Sequence, residues 1–403
     1  MSYLKIVSWL SIATLVMSAC SPITGTVTPR PTQPSAAQPQ AAGGEIKIAL
    51  LAPLSGPEAA FGLSTRDGAL MAVNEWNAKG GLLGQRILVV IEDSRCAPDV
   101  AAKAASKVID QDKVKLIIGE VCSGASIAIS QIANAKGVIQ VSPTSTESAL
   151  TVGPDGQTKR YVFRACFIDE AQAPAGAKFA RETLKAATAF ILTDSESSYS
   201  KGLSEVFAQA FEAQGGKVVG SQTYHAADTD FSAALSQIAQ ARPDIVYLPD
   251  DFNFANLITR QAKAKGVAAT FIGGDGWDSA DLDLKAAEGS YFTDHFWPDD
   301  PRPDVQDFKR AFGAQYKDAQ GTAVAPDALA ALAYDATNLL LQAIRQAGTA
   351  DDTDRVANSL ANISFSGVSG HISFDDHHNP VKPVVIVAAK GGRLIFDSSI
   401  GPN

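Results

Sequence analysis

Residues 114–141, VKLIIGEVCSGASIAISQIANAKGVIQV, decide the fold class. Val114–Ile118 is a short apolar run, Ile127–Ala135 carries helical periodicity, and Val138–Val141 is apolar again. Strand, helix and strand packed this tightly predict a βαβ unit, whose strands must lie parallel. Parallel strands are covered by helices on both faces, so they read as continuous rather than alternating apolar runs.

The same alternation extends outward. Upstream, Ile46–Leu51 (IKIALL) is strand-like and leads into a loop with Pro53, Gly56 and Pro57. A helix follows, with Ala69, Leu70, Ala72, Val73 and Trp76 on one face and Gly80-Gly81 as its stop. Ile87–Ile91 is the next strand and Val100–Ile109 the next helix. Downstream the pattern pauses at the Gly, Pro and Asp loop Thr151–Thr158, then restarts. Ala175–Leu184, Leu203–Ala213, Phe231–Ala239 and Asn253–Lys265 read as helices. Ala189–Leu192, Lys217–Val219, Ile245–Leu248 and Thr270–Ile272 read as the strands between them. Two such runs predict an α/β protein of two doubly wound parallel-sheet lobes. Val305–Ala361 is mainly helical, and Pro383–Ala388 with Leu394–Phe396 ends the body as strands.

The chain has 403 residues, 46% hydrophobic and 19% charged, enough for two domains with real cores. A net charge of −9 without a basic stripe excludes nucleic acid, whose phosphates require clustered Lys and Arg. The first residues read as a targeting segment: Lys5 is the positive charge, and Trp9–Ala19 is an apolar stretch too short to span a bilayer. It ends Met17-Ser18-Ala19-Cys20, which resembles the lipobox of bacterial lipoproteins, with Met where Leu is usual. That resemblance implies export and a lipid on Cys20. Ser21–Gly44, rich in Pro, Thr, Gln and Ala, cannot bury enough surface to offset its ordering entropy and reads as a tether. Outside the cytoplasm, disulfides persist. Composition leaves open which of Cys20, Cys96, Cys122 and Cys166 pair.

Ligands of parallel α/β sheets bind beyond the carboxyl ends of the strands. After Val114–Ile118, Ser123 sits where it would cap the next helix, beside free N–H groups suited to a carboxylate. After Val138–Val141 come Ser142-Pro143-Thr144-Ser145-Thr146, a dense set of hydroxyls. In the second run, Tyr199, the Asp250-Asp251-Phe252 segment and Gly273-Gly274-Asp275-Gly276-Trp277 all follow strands. An acid in one lobe and hydroxyls with helix N-termini in the other suit a zwitterion: ammonium toward Asp275, carboxylate toward Ser123. For each residue a plain capping or turn role is the competing reading. Nucleophile-elbow, GxGxxG, P-loop, HExxH and paired CxxC signatures are absent from the sequence, so it is read as no enzyme, with no cofactor and no metal. His377-His378 reads as a solvated turn, and Asp228-Thr229-Asp230 lacks the Gly and Glu of a calcium loop.

These segments together resemble the branched-chain amino-acid-binding proteins of ABC importers, the type I periplasmic binding fold. The resemblance runs from about Ile46 to Asp397. It is carried by Pro53-Leu54-Ser55-Gly56-Pro57 with Phe61-Gly62, Asn77-Ala78-Lys79-Gly80-Gly81, Val121-Cys122-Ser123 and Ser142-Pro143. Thr229-Asp230-Phe231-Ser232, Arg260-Gln261-Ala262, Gly273 to Trp277 and Tyr334-Asp335-Ala336 extend it. It implies that Ser123 binds a ligand carboxylate, with the carbonyl of Thr144, the hydroxyl and N–H of Thr146 and neighbouring Ser145 adding contacts. Asp275 would take the ammonium, although leucine binders carry Glu there. Tyr199 and Phe61 would line the pocket, a backbone N–H near Asp251 and Phe252 would reach the carboxylate, and Leu329 would stand where an aromatic is frequent. The resemblance pairs Cys96 with Cys122 and leaves Cys166 a free, buried thiol.

It also implies three crossings between lobes, near Cys166, Phe296 and Gly370. The expected organisation is a lipoprotein signal peptide at 1–19 and a tether at 20–44. Lobe 1 is then 45–165 with 297–370, and lobe 2 is 166–296 with 371–403. The implied function is a monomeric, lipid-anchored binding component in the periplasm or on the outer face of the cell membrane. It would close on a small aliphatic or branched-chain amino acid and deliver it to importer permease subunits. The competing expectations are a ligand-sensing module for a receptor, or an importer component for amides or short carboxylates.

Overall fold

The computed structural model describes residues 44–402. The expected signal peptide, tether and lipidated Cys20 lie outside the described residues. Two parallel sheets carry the described body. The first contains β1 (Glu45–Ala52), β2 (Arg86–Asp93), β3 (Leu116–Gly119), β4 (Ile139–Ser142) and β5 (Val162–Arg164), in the order β2-β1-β3-β4-β5. Between them run α1 (Ala59–Ala78), α2 (Pro98–Asp110) and α3 (Ser123–Lys136). β3 and β4 are buried along their whole length, as strands covered on both faces must be.

The second sheet begins after α4 (Asp169–Glu182). It takes β6 (Thr188–Asp194), β7 (Lys217–Tyr224), β8 (Ile245–Leu248), β9 (Thr270–Gly273) and β10 (Tyr291–Asp294). The connecting helices are α5 (Ser198–Ala213), α6 (Ser232–Ala241) and α7 (Phe252–Lys265). Three helices follow: α8 (Pro303–Gln315), α9 (Ala328–Ala347) and α10 (Thr353–Ala361). A small hairpin of β11 (Phe365–Gly367) and β12 (Gly370–Ile372) precedes β13 (Val384–Lys390) and β14 (Arg393–Ile400). These last two join the second sheet antiparallel, giving the order β14-β13-β10-β9-β8-β6-β7.

The five parallel strands of each sheet thus repeat one order, second-first-third-fourth-fifth. In each, the order reverses beside the first strand, between β1 and β3 and between β6 and β8. Connections diverge to opposite faces at that point, which opens a crevice at the carboxyl edge.

α9 belongs with the first sheet. Its apolar residues Leu332, Leu339, Leu340 and Ile344 join Ile48, Leu50, Ile118 and Val141 in one core. It crosses α1 at Gly68, where a side-chain carbon would come within 2.1 Å of the Ala330 carbonyl oxygen. The second sheet is cored on one face by Phe190, Leu192, Leu235, Ile258 and Trp277 and on the other by Phe179, Phe207, Phe211 and Tyr247. Cys96 and Cys122 form a disulfide that ties the β2–α2 loop to the start of α3, and Cys166 is free and buried.

Candidate functional site

Loops at the two switch points meet across a cavity of about 390 Å³. The first sheet contributes Glu58, Phe61, Val121, Cys122, Ser123, Gly124 and Thr144. The second contributes Asp194, Tyr199, Asp250, Asp251, Asp275 and His295. Leu329 at the start of α9 adds an apolar wall. Ser123 and Asp275, assigned from sequence to opposite ends of one zwitterion, line the same cavity.

Asp275 is the most heavily supported carboxylate there. Its Oδ1 accepts from Tyr199 Oη at 2.8 Å and Gln172 Nε2 at 2.7 Å, and its Oδ2 from His295 Nε2 at 3.0 Å. Burial pushes its pKa up. The bonds from His295, Gln172 and Tyr199 more than offset this and hold the carboxyl below the usual range, hence ionised. Burial lowers the pKa of His295, which favours the neutral ring, donating through Nε2–H. Its Nδ1 is buried with no partner. Tyr199 Oη also accepts from the Gly276 N–H at 3.0 Å, fixing the turn that carries Asp275. A buried anion with several donors and no fixed cation suits an ammonium.

The anion side is the amino end of α3. Ser123 is its first helical residue, and Cys122 takes the cap position with extended backbone. The expected capping role of Ser123 is therefore corrected: Cys122, held by Cys96 and by its N–H bond to Glu120, turns the chain into the helix. The Ser123 side chain makes no capping bond and lines the cavity.

Phe61, Ser123, Thr144, Tyr199, Asp251, Asp275 and Leu329 of the expected set line the cavity; Ser145, Thr146 and Phe252 do not. Thr144 lines it, but its hydroxyl donates to the Val121 carbonyl at 3.1 Å. Ser145 turns inward, its Oγ bonded to Ser126 Oγ and to the Val121 carbonyl, while Arg164 Nη1 donates to the Ser145 carbonyl at 2.7 Å. Thr146 is fully buried on the Asp169 side of that turn, where its carbonyl accepts the Asp169 N–H. The buried Arg164 draws this turn away from the cleft.

Phe252 packs its ring edge-on against Phe61 at 5.1 Å and sits behind the wall. Of the backbone N–H groups near Asp251 and Phe252, that of Asp251 donates to Asp250 Oδ1 at 2.8 Å. The Asp251 carboxylate caps α7 through the Asn253 and Phe254 N–H groups. His378 is no solvated group: it stacks on Phe163 at 4.0 Å. Among the described residues no group of His, Cys, Asp and Glu is placed to hold a metal ion.

Gln172, His295, Glu58, Asp194 and Glu196 were missed from sequence. His295 had a findable signal, since it directly follows β10. That strand, Tyr-Phe-Thr-Asp, is too short to show a period. Gln172 lies in the first turn of α4 and reaches Asp275 only through the fold.

Comparison with known proteins converges on one family. The profile described as "Periplasmic binding protein" matches residues 45–393. A leucine-, isoleucine-, valine-, threonine- and alanine-binding protein of Pseudomonas aeruginosa is 32% identical, covering 82% of this chain and 86% of that one. The Leu/Ile/Val-binding protein BraC3 of Rhizobium johnstonii is 33% identical over 78% of this chain and 83% of its own. Among solved structures, the leucine-binding protein LivK of Thermotoga maritima matches with a TM-score of 0.82 and 36% identity, over 89% of this chain and 99% of that one. The branched-chain amino-acid-binding protein LivJ of Streptococcus pneumoniae, in complex with isoleucine, matches with a TM-score of 0.79 and 30% identity, over 88% and 99%.

Proposed function

This chain belongs to the periplasmic binding protein family, and from that premise we propose that it is the substrate-binding component of an ABC importer for an aliphatic α-amino acid. It binds the amino acid between its lobes, closes, and presents it to permease subunits outside the cytoplasm. Binding, not catalysis, is its work. Anchoring through a lipid on Cys20 and action as a monomer belong to the same proposal.

The observation that carries it is the shared cavity of Asp275 and the amino end of α3. An ionised carboxylate with a full set of donors complements an ammonium, and free N–H groups of a helix start complement a carboxylate. Phe61, Val121 and Leu329 supply apolar wall for a side chain, worth about 1.5–3 kcal/mol if that side chain is fully buried. Micromolar affinity requires about 8 kcal/mol, so the two charged ends supply most of the rest.

Titration calorimetry tests this. Leucine, isoleucine, valine and alanine should bind, and their deaminated 2-keto acids should not. Asp275→Asn should weaken every amino acid by about 2–5 kcal/mol, the loss that follows from removing one partner of a buried charge pair. Unchanged affinity in the variant would rule out the ammonium role.

A further inference from the structure

The Asp275 carboxylate is nearly full. An ionised carboxylate offers about four acceptor positions, shared equally by its oxygens. Tyr199 Oη and Gln172 Nε2 both bond to Oδ1, while His295 Nε2 bonds to Oδ2. One position therefore stays open, on the same oxygen that His295 holds. The Asp275 side chain is 11% exposed and that of His295 only 1%, so the carboxylate, not the ring, carries the opening onto the cavity.

Each donor is itself fixed. Gln172 Nε2 also donates to Thr293 Oγ1 at 2.9 Å, and Tyr199 Oη also accepts the Gly276 N–H. The backbone N–H of His295 donates to Asp294 Oδ1 at 2.7 Å, and its ring lies against that of Phe167 with centroids 3.6 Å apart. Its Nδ1 is buried without a partner among the described residues. A proton there would be an unmet donor, whereas a proton on Nε2 meets an anion. Ring packing and tautomer thus aim one N–H at Oδ2. Phe167 lies between β5 and α4 and His295 between β10 and α8, so two stretches far apart in the chain set that aim.

We propose that His295 is the positioning residue of the ammonium site: by holding one side of Oδ2, it leaves a single place for a ligand N–H and fixes where that N–H must lie. This rests on the reading of Asp275 as the ammonium acceptor. Removing the donor has two effects. It takes a charge-assisted bond from a buried anion, which then binds a proton more readily, and it opens a second position into which the ammonium can shift. Both weaken an amino acid.

Calorimetry with L-leucine separates this bond from the packing around it. His295→Gln keeps an N–H donor but loses the ring, whereas His295→Phe keeps a ring against Phe167 but has no donor. The Gln variant is expected within about three-fold of the parent and the Phe variant at least about ten-fold weaker. Equal losses, or the reverse order, overturn the inference. In an Asp275→Asn background, His295→Phe should cost less than about two-fold, because the charge it acts through is gone. An undiminished loss there marks a structural role and overturns the inference. Nitrogen-15 NMR of the parent's histidine rings needs no variant to fold: His295 should be neutral with its proton on Nε2, and a proton on Nδ1 overturns the inference. If Asp275→Asn weakens leucine but His295→Phe does not, this inference falls and the ammonium reading stands. If the parent binds none of leucine, isoleucine, valine and alanine, both fall.

Discussion

Glu120 illustrates how single residues of this site combine position with cost. It is fully buried at the end of β3, where its carboxyl accepts from Ser94 Oγ at 2.6 Å and from the Cys122 N–H that starts α3. Burial pushes its pKa up to about 8, because the hydrogen bonds only partly offset the lost hydration. Between its unfolded value near 4.5 and about 8, the folded state holds a proton that the unfolded chain has released. Stability must therefore fall as pH rises through that window, by up to about 5 kcal/mol from this group. Thermal melts from pH 5 to pH 8 should show the decline, and Glu120→Gln should make it shallower. An unchanged slope in the variant would mean that Glu120 is ionised throughout. Asp275 takes the opposite sign, since its donors hold it ionised despite burial.

At the scale of elements, the helix starts and the α1–α9 crossing set the geometry. α3 presents its amino end because a disulfide and an internal carboxylate hold the preceding loop. α9, with fifteen buried residues, fixes the wall at Leu329 only if α1 approaches it closely. Gly68 permits that approach. Gly68→Ala is expected to destabilise the protein by about 1–3 kcal/mol, although alanine is the better helix former, because its methyl group meets backbone that cannot yield. Urea unfolding measures this, and a variant as stable as the parent would show that the two helices can separate freely. Short strands were the least legible elements. β5 (Val-Phe-Arg) and β10 (Tyr-Phe-Thr-Asp) are too brief to carry periodicity, and each contains a charge. Arg164 is buried in β5 only because the Ser145 and Glu147 carbonyls receive its guanidinium.

For the whole molecule, the lobes meet through contacts outside the cavity. Asp278, beyond β9, accepts the Ala328 N–H at the start of α9 at 2.7 Å, and Asn253 donates to the Pro57 carbonyl at 3.3 Å. Neither residue lines the cavity. The Asp278 contact ties the segment after β9 to the start of α9, so hinge opening of the cleft would break it and its contribution to affinity would come through the closed state. Asp278→Ala is expected to lower ligand affinity about ten-fold, about 1–2 kcal/mol, without a ligand contact being touched. Small-angle scattering should show the ligand-bound variant more expanded than the ligand-bound parent. Equal affinity and equal dimensions would remove the latch from the mechanism.

The alternation of apolar runs with helical periodicity by itself determined the class of fold, because parallel strands buried on both faces leave no other pattern. The rule that ligands sit beyond strand ends then led to Ser123, Tyr199, Asp251 and Asp275 from one-dimensional position alone. Tertiary structure decided the rest. Whether Thr146 faces the cleft or Asp169, whether Ser123 caps its helix, and which donors keep Asp275 charged depend on residues distant in the chain. Local sequence encodes what a segment buries, whereas the meeting of two segments across a cleft depends on every element that holds them there.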